Sequence, residues 1–273
     1  MKPILSSILL WALSFILMLS AAVYQRLTGP THPLRGNIEI GSSKYSYKLI
    51  RSHGGTTDAK ISIAIADTEV KGELLFRKFK TGEEWQVLPL QRENQELEAH
   101  LPNQPPAGKL EYRIRLHQGS NSYELTKTPV VIRFKGDVPL YVLIPHVFFM
   151  FFAMMFSMRT GIEALRKGKQ TYRLALLTIT FLGIGGLILG PLVQKYAFGA
   201  YWTGWPFGHD LTDNKTLAAF LFWLVAVLKL RKNREHRLWP LLASVVLLLV
   251  YLIPHSMFGS ELDYSTGEVT TGR

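Results

Sequence analysis

Residues 139–158, PLYVLIPHVFFMFFAMMFSM, decide the fold class of this chain. The stretch contains no Asp, Glu, Lys or Arg, and it is as long as the roughly 20 helical residues that cross the hydrocarbon core of a bilayer. Similar apolar stretches lie near residues 4–24, 174–194, 212–230 and 238–256. The sequence therefore predicts an α-helical membrane protein with about five transmembrane helices.

Charge is distributed unevenly along the chain, which has a net charge of +11 and no cysteine. The absence of cysteine excludes disulfides, thiolate metal sites and covalent attachment of heme through paired cysteines. Many of the basic residues lie in two short loops beside the apolar stretches, namely Arg159, Arg166, Lys167, Lys169 and Arg173, and Lys229, Arg231, Lys232, Arg234 and Arg237. Cytoplasmic loops of membrane proteins carry this excess of positive charge. We therefore predict the lipid bilayer, and no nucleic acid, as a partner.

The same two loops predict the orientation of the chain. If both are cytoplasmic, the N-terminus is cytoplasmic too, and the protein is a multi-pass protein of the plasma (inner) membrane. Residues 1–25 are then an N-terminal anchor, for which cleavage as a signal peptide near residues 20–22 is the alternative. Residues 26–137 and the tail at 259–273 become extracytoplasmic, and residues 138–258 form a four-helix transmembrane domain.

The exported segment reads as β structure. Seven runs with partial apolar–polar alternation are separated by Gly, Asn, Asp and Pro; they cover residues 44–50, 60–66, 73–80, 84–90, 96–101, 109–117 and 122–134. Short strands at this spacing are typical of an antiparallel sandwich. Residues 106–112, which end at Tyr112, resemble the tyrosine corner of immunoglobulin and fibronectin type III domains. The resemblance implies an all-β, Ig-like domain inserted on the outer side, which would dock a protein partner.

The phrase Leu-Ile-Pro-His occurs twice in the sequence, and its two histidines are His146 and His255. Counting membrane crossings places both on the outer side, where the Trp/Gly-rich loop at 195–215 also emerges. Ionisable residues in membrane segments are costly to bury and usually face a partner or a cavity. The simpler alternative is that each Pro-His pair marks a helix boundary. We predict a shared, outward-facing pocket.

The outer loop carries a specific pattern of aromatic residues. FGAYW at 198–202 is followed by Trp205, and DNKT at 213–216 leads into an apolar stretch that also contains Trp. This pattern resembles the tryptophan-rich loop of the heme-handling proteins of cytochrome c maturation, over residues 139–258. The Trp-Trp-Asp core of that family is absent here.

This resemblance implies heme binding or presentation at the outer face. His146 and His255 would be the axial ligands of the heme iron. Trp202, Trp205 and His209 would surround the porphyrin as further cofactor-binding residues. Neutral imidazoles are common axial ligands, so the chemistry is consistent.

A copper site is one alternative to heme. Met150, Met154 and Met158 follow His146 at intervals of four residues, which places them along one drifting stripe of a helix. Thioether and imidazole groups suit Cu(I). Methionine is also a common filler of helix cores.

A zinc site is the other metal alternative. It would combine His146, His209 and His255 with Asp210 or Asp213, leaving one position for water. Asp213 also has a structural interpretation as the N-cap of the following helix, with Thr212 as an alternative cap.

No catalytic residue is predicted. The sequence contains no recognisable Ser-His-acid arrangement, phosphate-binding loop or acid–base pair, and the chain is predicted to be a non-enzymatic protein. The rival functional class is a membrane assembly or scaffold subunit, whose sandwich docks a partner and whose histidines only end helices.

Overall fold

The apolar stretches form helices in the computed structural model, which describes residues 3–255, 257 and 259–271. The helices are α1 (Pro3–Thr28), α2 (Leu140–Leu165), α3 (Thr171–Leu182), α4 (Gly190–Phe198), α5 (Leu211–Lys232) and α6 (Leu238–Leu252). A π-helical segment, Gly183–Leu189, joins α3 to α4 so that the three form one continuous rod. Four helical rods are long and apolar enough to cross a membrane, namely Leu5–Thr28, Leu140–Leu165, Thr171–Phe198 and Leu211–Lys232.

Four helices have membrane-spanning length, and α6, which contains the fifth predicted span, is shorter. It has 15 residues, which is about 22 Å at 1.5 Å per residue against a hydrocarbon core of roughly 30 Å. It ends where Ile253 adopts an extended conformation, as expected for a residue that precedes proline. The matching phrase at 143–146 has a different structure, since Pro145 lies inside α2.

The helices pack closely through small residues. Ala153, Ala175 and Ala219 are fully buried around the side chain of Trp223, and small residues at such positions let helix backbones approach one another. Large apolar side chains instead point away from the bundle on several helices, for example Ile8, which is 58% exposed. An apolar outer surface is expected of helices whose solvent is lipid. The helical part therefore indicates membrane association.

The segment between α1 and α2 is built of strands. They are β1 (Leu34–Ile40), β2 (Ser43–Leu49), β3 (Ser52–Gly54), β4 (Ala59–Ala64), β5 (Lys71–Lys78), β6 (Gln86–Pro89), β7 (Gln91–Glu93), β8 (Glu96–Leu101), β9 (Lys109–Gln118), β10 (Asn121–Glu124) and β11 (Val130–Lys135). The largest sheet has the order β3-β11-β9-β5-β6, with β10 also paired to β9, and a second sheet has the order β4-β8-β7. β1 and β2 form a separate hairpin. The chain is thus a mixed helix-plus-sheet protein, as predicted.

One buried core joins these sheets. β9 alternates strictly, with Leu110, Tyr112, Ile114 and Leu116 buried and the residues between them less so. This period-two pattern is what a strand with one face on a core requires. The hydroxyl of Tyr112 donates to the carbonyl of Ile50 at 2.8 Å. That acceptor lies far upstream, whereas a tyrosine corner bonds backbone only a few residues away.

The C-terminal tail folds back onto the β-domain, which we define as residues 34–135. Its strands β12 (Ser260–Leu262) and β13 (Val269–Thr271) pair with each other. The Leu262 amide donates to the Ala107 carbonyl at 3.1 Å. Glu261 forms ion pairs with Lys109 at 2.5 Å and with Lys80 at 3.2 Å. The tail therefore ties the end of α6 to the β-domain.

The pKa values of Glu261 and Lys109 are both below their usual values, but for different reasons. Burial raises the pKa of Glu261, but the hydrogen bonds and charges of Lys109 and Lys80 outweigh it and hold the pKa below its usual value. For Lys109, burial is the largest effect and, with the charges of Arg133 and Lys80, holds the pKa below its usual value although Glu261 raises it. The carboxylate is therefore stabilised in its charged form, whereas the charged form of the lysine is not.

Candidate functional site

A cavity of about 120 Å³ lies where the helices, the tail and the β-domain meet. Its helical side includes His146 and Met150 of α2, and its other side includes Arg133 of β11 and His255 and Ser260 of the segment that follows α6. The structure thus brings the two histidines of the repeated phrase to a single cavity. This cavity is the candidate site.

His146 is oriented by the π-helical segment. Its Nδ1 lies 2.9 Å from the carbonyl oxygen of Gly185. A carbonyl can only accept, so Nδ1 carries the proton, and the neutral ring has its lone pair on Nε2. Hydrogen bonds of this kind fix the tautomer and ring orientation of metal-binding histidines. Nε2 is therefore the nitrogen that a ligand in the cavity would use.

Glycines allow the walls of the cavity to come together. A Cβ on Gly186 would lie 2.7 Å from Cγ2 of Thr216 in α5, and one on Gly185 would lie 3.0 Å from Sδ of Met150. A Cβ on Gly190 would reach His146 Cε1 at 3.9 Å. A small residue at Gly186 lets the two helices approach closely, and π-helical turns are frequent at functional sites.

His255 is held by the backbone just before it. The carbonyl of Ile253 accepts hydrogen bonds from Nζ of Lys215 at 2.6 Å and from Nε2 of Gln25 at 3.2 Å. Although His255 as a whole residue is exposed, desolvation by the surrounding protein, followed by the nearby Lys215 and His146, lowers the pKa of its imidazole. His255 is consequently neutral at pH 7, which is the form in which histidine binds metals.

Asp210 joins three parts of the site, and it corrects one sequence prediction. Its Oδ1 accepts from the backbone amides of Thr212 at 2.8 Å and Asp213 at 3.4 Å, so Asp210 is the N-cap of α5. The prediction of Asp213 or Thr212 as the cap is wrong, because α5 begins at Leu211, before both of them. The Oδ2 of Asp210 accepts from the Ser260 amide at 3.0 Å and from Oγ1 of Thr203 at 3.1 Å.

Asp213 fixes the outer loop instead. Its Oδ2 accepts from the backbone amides of Thr203 at 2.7 Å and Gly204 at 2.9 Å. Gln194 supports the same turn by donating to Oγ1 of Thr203 at 2.7 Å. Both buried aspartates are therefore occupied by hydrogen-bond donors, which lowers their availability as metal ligands.

Arg133 brings a positive charge from the β-domain to the roof of the cavity. Its side chain is 6% exposed, its Nη2 donates to the Ser260 carbonyl, and its guanidinium stacks on Phe198 at 4.1 Å. Burial lowers the pKa of Arg133 to about 10, against the opposing effect of Asp210 and Glu261. The group stays charged at pH 7 and locks the tail to the helices.

The remaining predicted residues lie on the outside of the loop. Trp202 is half-buried and donates through Nε1 to the Trp205 carbonyl at 3.0 Å. Trp205 is 67% exposed, and His209 is also exposed. None of these three residues lines the cavity, so their role in binding a cofactor stays a prediction.

The size and donor set of the cavity decide which groups fit. Within residues 3–255, 257 and 259–271, no three His, Asp or Glu side chains are grouped as metal ligands, so a zinc site of the predicted kind is not assembled there. The volume of about 120 Å³ is below the roughly 300–1,000 Å³ of pockets for larger organic ligands. A heme group does not fit between these residues as they stand. The volume leaves room for a single ion.

The methionine stripe divides between the cavity and the core. Met150 lines the cavity, whereas Met154 and Met158 are buried in the helical core. Only the methionine one turn after His146 is therefore a candidate ligand.

Fold and site together define a helix-plus-sheet protein with membrane-length helices and a histidine-lined cavity beneath its β-domain. No protein-family model, curated protein or solved structure matches the chain. The resemblance to heme-handling proteins consequently rests on the short loop pattern alone.

Sequence reasoning missed three residues that build the site. Lys215 had a usable signal, because a lysine within an apolar stretch usually has a buried partner. Arg133 and Ser260 had none, since each becomes part of the cavity only when the tail meets the β-domain.

Proposed function

We propose that this protein is a multi-pass membrane protein that binds a copper(I) ion at its outer face. His146 Nε2, the imidazole of His255 and the Met150 thioether would be the ligands. The observation that carries the proposal is that these three side chains line one cavity of about 120 Å³. The protein would hold or transfer the ion without catalysing a reaction.

The donor set favours copper(I) over other metals. Imidazole and thioether are soft or intermediate donors that suit Cu(I), whereas Ca²⁺, Mg²⁺ and Mn²⁺ prefer carboxylates and carbonyls. The carboxylates of Asp210 and Asp213 already accept backbone hydrogen bonds. The bond from His146 Nδ1 to Gly185 supports binding through Nε2.

Heme remains the second candidate, and the loop pattern is the observation that favours it. Binding a porphyrin between His146 and His255 would require the segment after α6 to move away from the β-domain. When bound, the heme would supply a redox-active iron, and the chain's part would be the two imidazole ligands.

The proposed orientation places the cavity outside the cytoplasm. The two basic loops connect α2 to α3 and α5 to α6, at the helix ends away from the β-domain. Positive charge of this kind favours the cytoplasmic side of a plasma membrane. The N-terminus would then be inside, and the β-domain and tail outside. Helix α6, the fifth predicted span, would cross only part of the bilayer or require it to thin locally.

The β-domain is proposed to be an Ig-like or fibronectin III-like sandwich that docks a partner protein. In such domains one sheet has strands B, E and D together and the other has C, F and G. If β4, β7 and β8 are taken as strands B, D and E, the order β4-β8-β7 corresponds to B-E-D. If β5, β9 and β11 are taken as C, F and G, the order β5-β9-β11 corresponds to C-F-G. A partner that delivers or receives copper would approach this side of the cavity.

The test is a Cu(I) titration of the purified full-length protein under reducing conditions, against a chromophoric Cu(I) chelator. One ion should bind per chain, and X-ray absorption should detect both nitrogen and sulfur neighbours. The double change His146→Ala/His255→Ala should abolish binding. Met150→Leu should remove the sulfur signal while keeping the side-chain volume.

Two matched controls make the test specific. Met154→Leu alters the next methionine of the same stripe, which lies in the core, and should keep the sulfur signal. His209→Ala removes an exposed histidine of the outer loop and should leave affinity unchanged. If wild-type protein binds no Cu(I), or if Met154→Leu and Met150→Leu lose sulfur alike, the copper proposal fails.

The same preparations test the other candidates. A Soret band after heme-replete expression that disappears in His146→Ala/His255→Ala would favour heme. A colourless protein without bound metal would favour the scaffold class.

The scaffold interpretation has its own support in three exposed aromatic side chains of the outer loop, which a partner protein could cover. They are Tyr201, Trp205 and Phe207, which are 56%, 67% and 82% exposed.

A further inference from the structure

A second cleft lies at the far end of the helices from the candidate site. It has a volume of about 340 Å³ and is formed by the α2–α3 connection and the α5–α6 connection. Its cationic side chains are Lys169, Arg173, Arg234 and Arg237. The one acidic group lining it, Glu235, pairs with Arg237 at 3.0 Å. The cleft therefore carries an excess of positive charge.

We propose that this cleft binds the phosphate of an anionic phospholipid. Phosphate is the ligand that planar guanidinium groups and lysine recognise best, and basic pockets between membrane helices bind anionic head groups. The inference is independent of the copper proposal, because it concerns the opposite ends of the helices.

Electrostatics at α3 support an anionic ligand. The first turn of α3 contains Arg173 and no acidic residue, and the side chain of its N-cap makes no hydrogen bond. The N-cap amide donates to the buried Glu163 carboxylate at 3.3 Å, but that carboxylate is already paired with Arg159, so further cations beside this partly positive helix end are unfavourable without another anion. Lys169 and Arg173 are exposed and make no ion pair within the described part of the chain. A bound phosphate would offset this repulsion.

The two connections contact each other at the cleft. The guanidinium carbon of Arg234 lies 3.4 Å from the centre of the Tyr172 ring. Arg237 lines the same cleft, and its buried Nε has no hydrogen-bond partner within the described residues. Arg234 and Arg237 therefore come from the α5–α6 connection, and Lys169, Arg173 and the α3 N-terminus come from the other side of the cleft.

Apolar surface next to the cleft selects a lipid over free phosphate. Leu176 and Leu177 lie one turn beyond Arg173 and are 38% and 41% exposed. Leu238, directly after Arg237, is 63% exposed. Acyl chains below a phosphate in the cleft would cover these leucines, whereas inorganic phosphate would leave them uncovered.

The test compares retention of phosphatidylglycerol and phosphatidylcholine with identical acyl chains on the full-length protein by native mass spectrometry. Wild type should prefer phosphatidylglycerol. Since each basic residue contributes roughly fivefold to binding of an anionic lipid surface, Arg173→Gln/Arg234→Gln should weaken this preference by about 30-fold. Lys169→Gln/Arg173→Gln repeats the test without disturbing the contact between Arg234 and Tyr172.

The matched control is Arg231→Gln/Lys232→Gln, which removes the same charge from exposed residues outside the cleft. It should retain the preference within about threefold. Equal losses in the cleft and control variants would overturn the proposal, because they would indicate a general basic surface. Displacement of phosphatidylglycerol by millimolar inorganic phosphate would also overturn it, since the site would then bind the free anion.

Discussion

Replacing Asp210 by asparagine should release the C-terminal tail from the helices. Asp210 uses both carboxylate oxygens, one for the Thr212 amide at 2.8 Å and the other for the Ser260 amide at 3.0 Å. Asparagine has the same shape but only one acceptor oxygen. Whichever way the amide turns, its NH₂ group faces a backbone N–H, and one buried donor loses its acceptor.

The expected cost follows from these contacts. A buried donor left without a partner costs about 1–3 kcal/mol, and loss of the charge weakens the bonds that remain. A total of about 3 kcal/mol corresponds to roughly a 100-fold increase in the equilibrium for opening the tail. The tail is the part that should open, because the N-cap bond to Thr212 is local and is kept more easily.

Hydrogen exchange of the amides of Ser260 and Leu262 measures this opening. The Ser260 amide donates to Asp210 on the helical side, and the Leu262 amide donates to the Ala107 carbonyl of the β-domain. Asp263→Asn is the matched control, since the Asp263 side chain bonds within its own turn, to Ser265. Exchange in Asp210→Asn that stays within threefold of wild type, or that rises equally in Asp263→Asn, would refute the role of Asp210 as the tail anchor.

Three more changes probe other contacts. Tyr112→Phe should lower the free energy of unfolding of the β-domain by about 1–2 kcal/mol, because the Ile50 carbonyl loses its 2.8 Å donor; chemical denaturation measures it. Gly136→Ala should loosen the β-domain from the helices, because a Cβ there would overlap the Tyr196 carbonyl, and limited proteolysis should then cut between them faster. Acidification should loosen the tail: the pKa of Glu261 is held below its usual value, so its stabilisation is complete above the usual glutamate pKa and is lost as the pH falls through the lowered one. Exchange of the tail amides, corrected for the intrinsic effect of pH, reads this out.

Each of these changes has a control. Tyr123→Phe alters a half-buried tyrosine with no hydrogen bond through its hydroxyl within the described residues, and should cost less than Tyr112→Phe. Gly54→Ala meets only the flexible side chain of Lys135 and should leave proteolysis unchanged. Glu261→Gln should remove the acid response, and a response that persists would assign it to another group.

The β-domain illustrates how far local patterns predict this fold. Residues 96–101 were predicted as a strand and are β8 with the same bounds, because alternation and flanking turn residues are local properties. The run at 122–134 is instead divided into β10 and β11. Pro129, which cannot donate to a sheet, precedes the second strand. The tail strands β12 and β13 have little apolar pattern of their own and depend on each other and on Ala107.

The candidate site illustrates where prediction stops. The repeated phrase drew attention to His146 and His255, and both line the cavity. The aromatic rings of Trp202 and Trp205 were predicted to join them but lie outside it, because Asp213 draws the backbone at Thr203 and Gly204 inward and leaves these rings on the outer side of the loop. Nothing in the local sequence specifies that turn.

The sequence by itself determined which segments are apolar helices, which are strands, and where histidine, methionine and basic residues occur along them, because hydrophobic period and turn residues act over a few positions. The tertiary structure alone decided that Arg133 would meet Ser260 and that the tail would cover the cavity. These contacts join residues more than a hundred positions apart. They depend on how the β-domain and the helices pack, and a single local pattern carries no information about that packing.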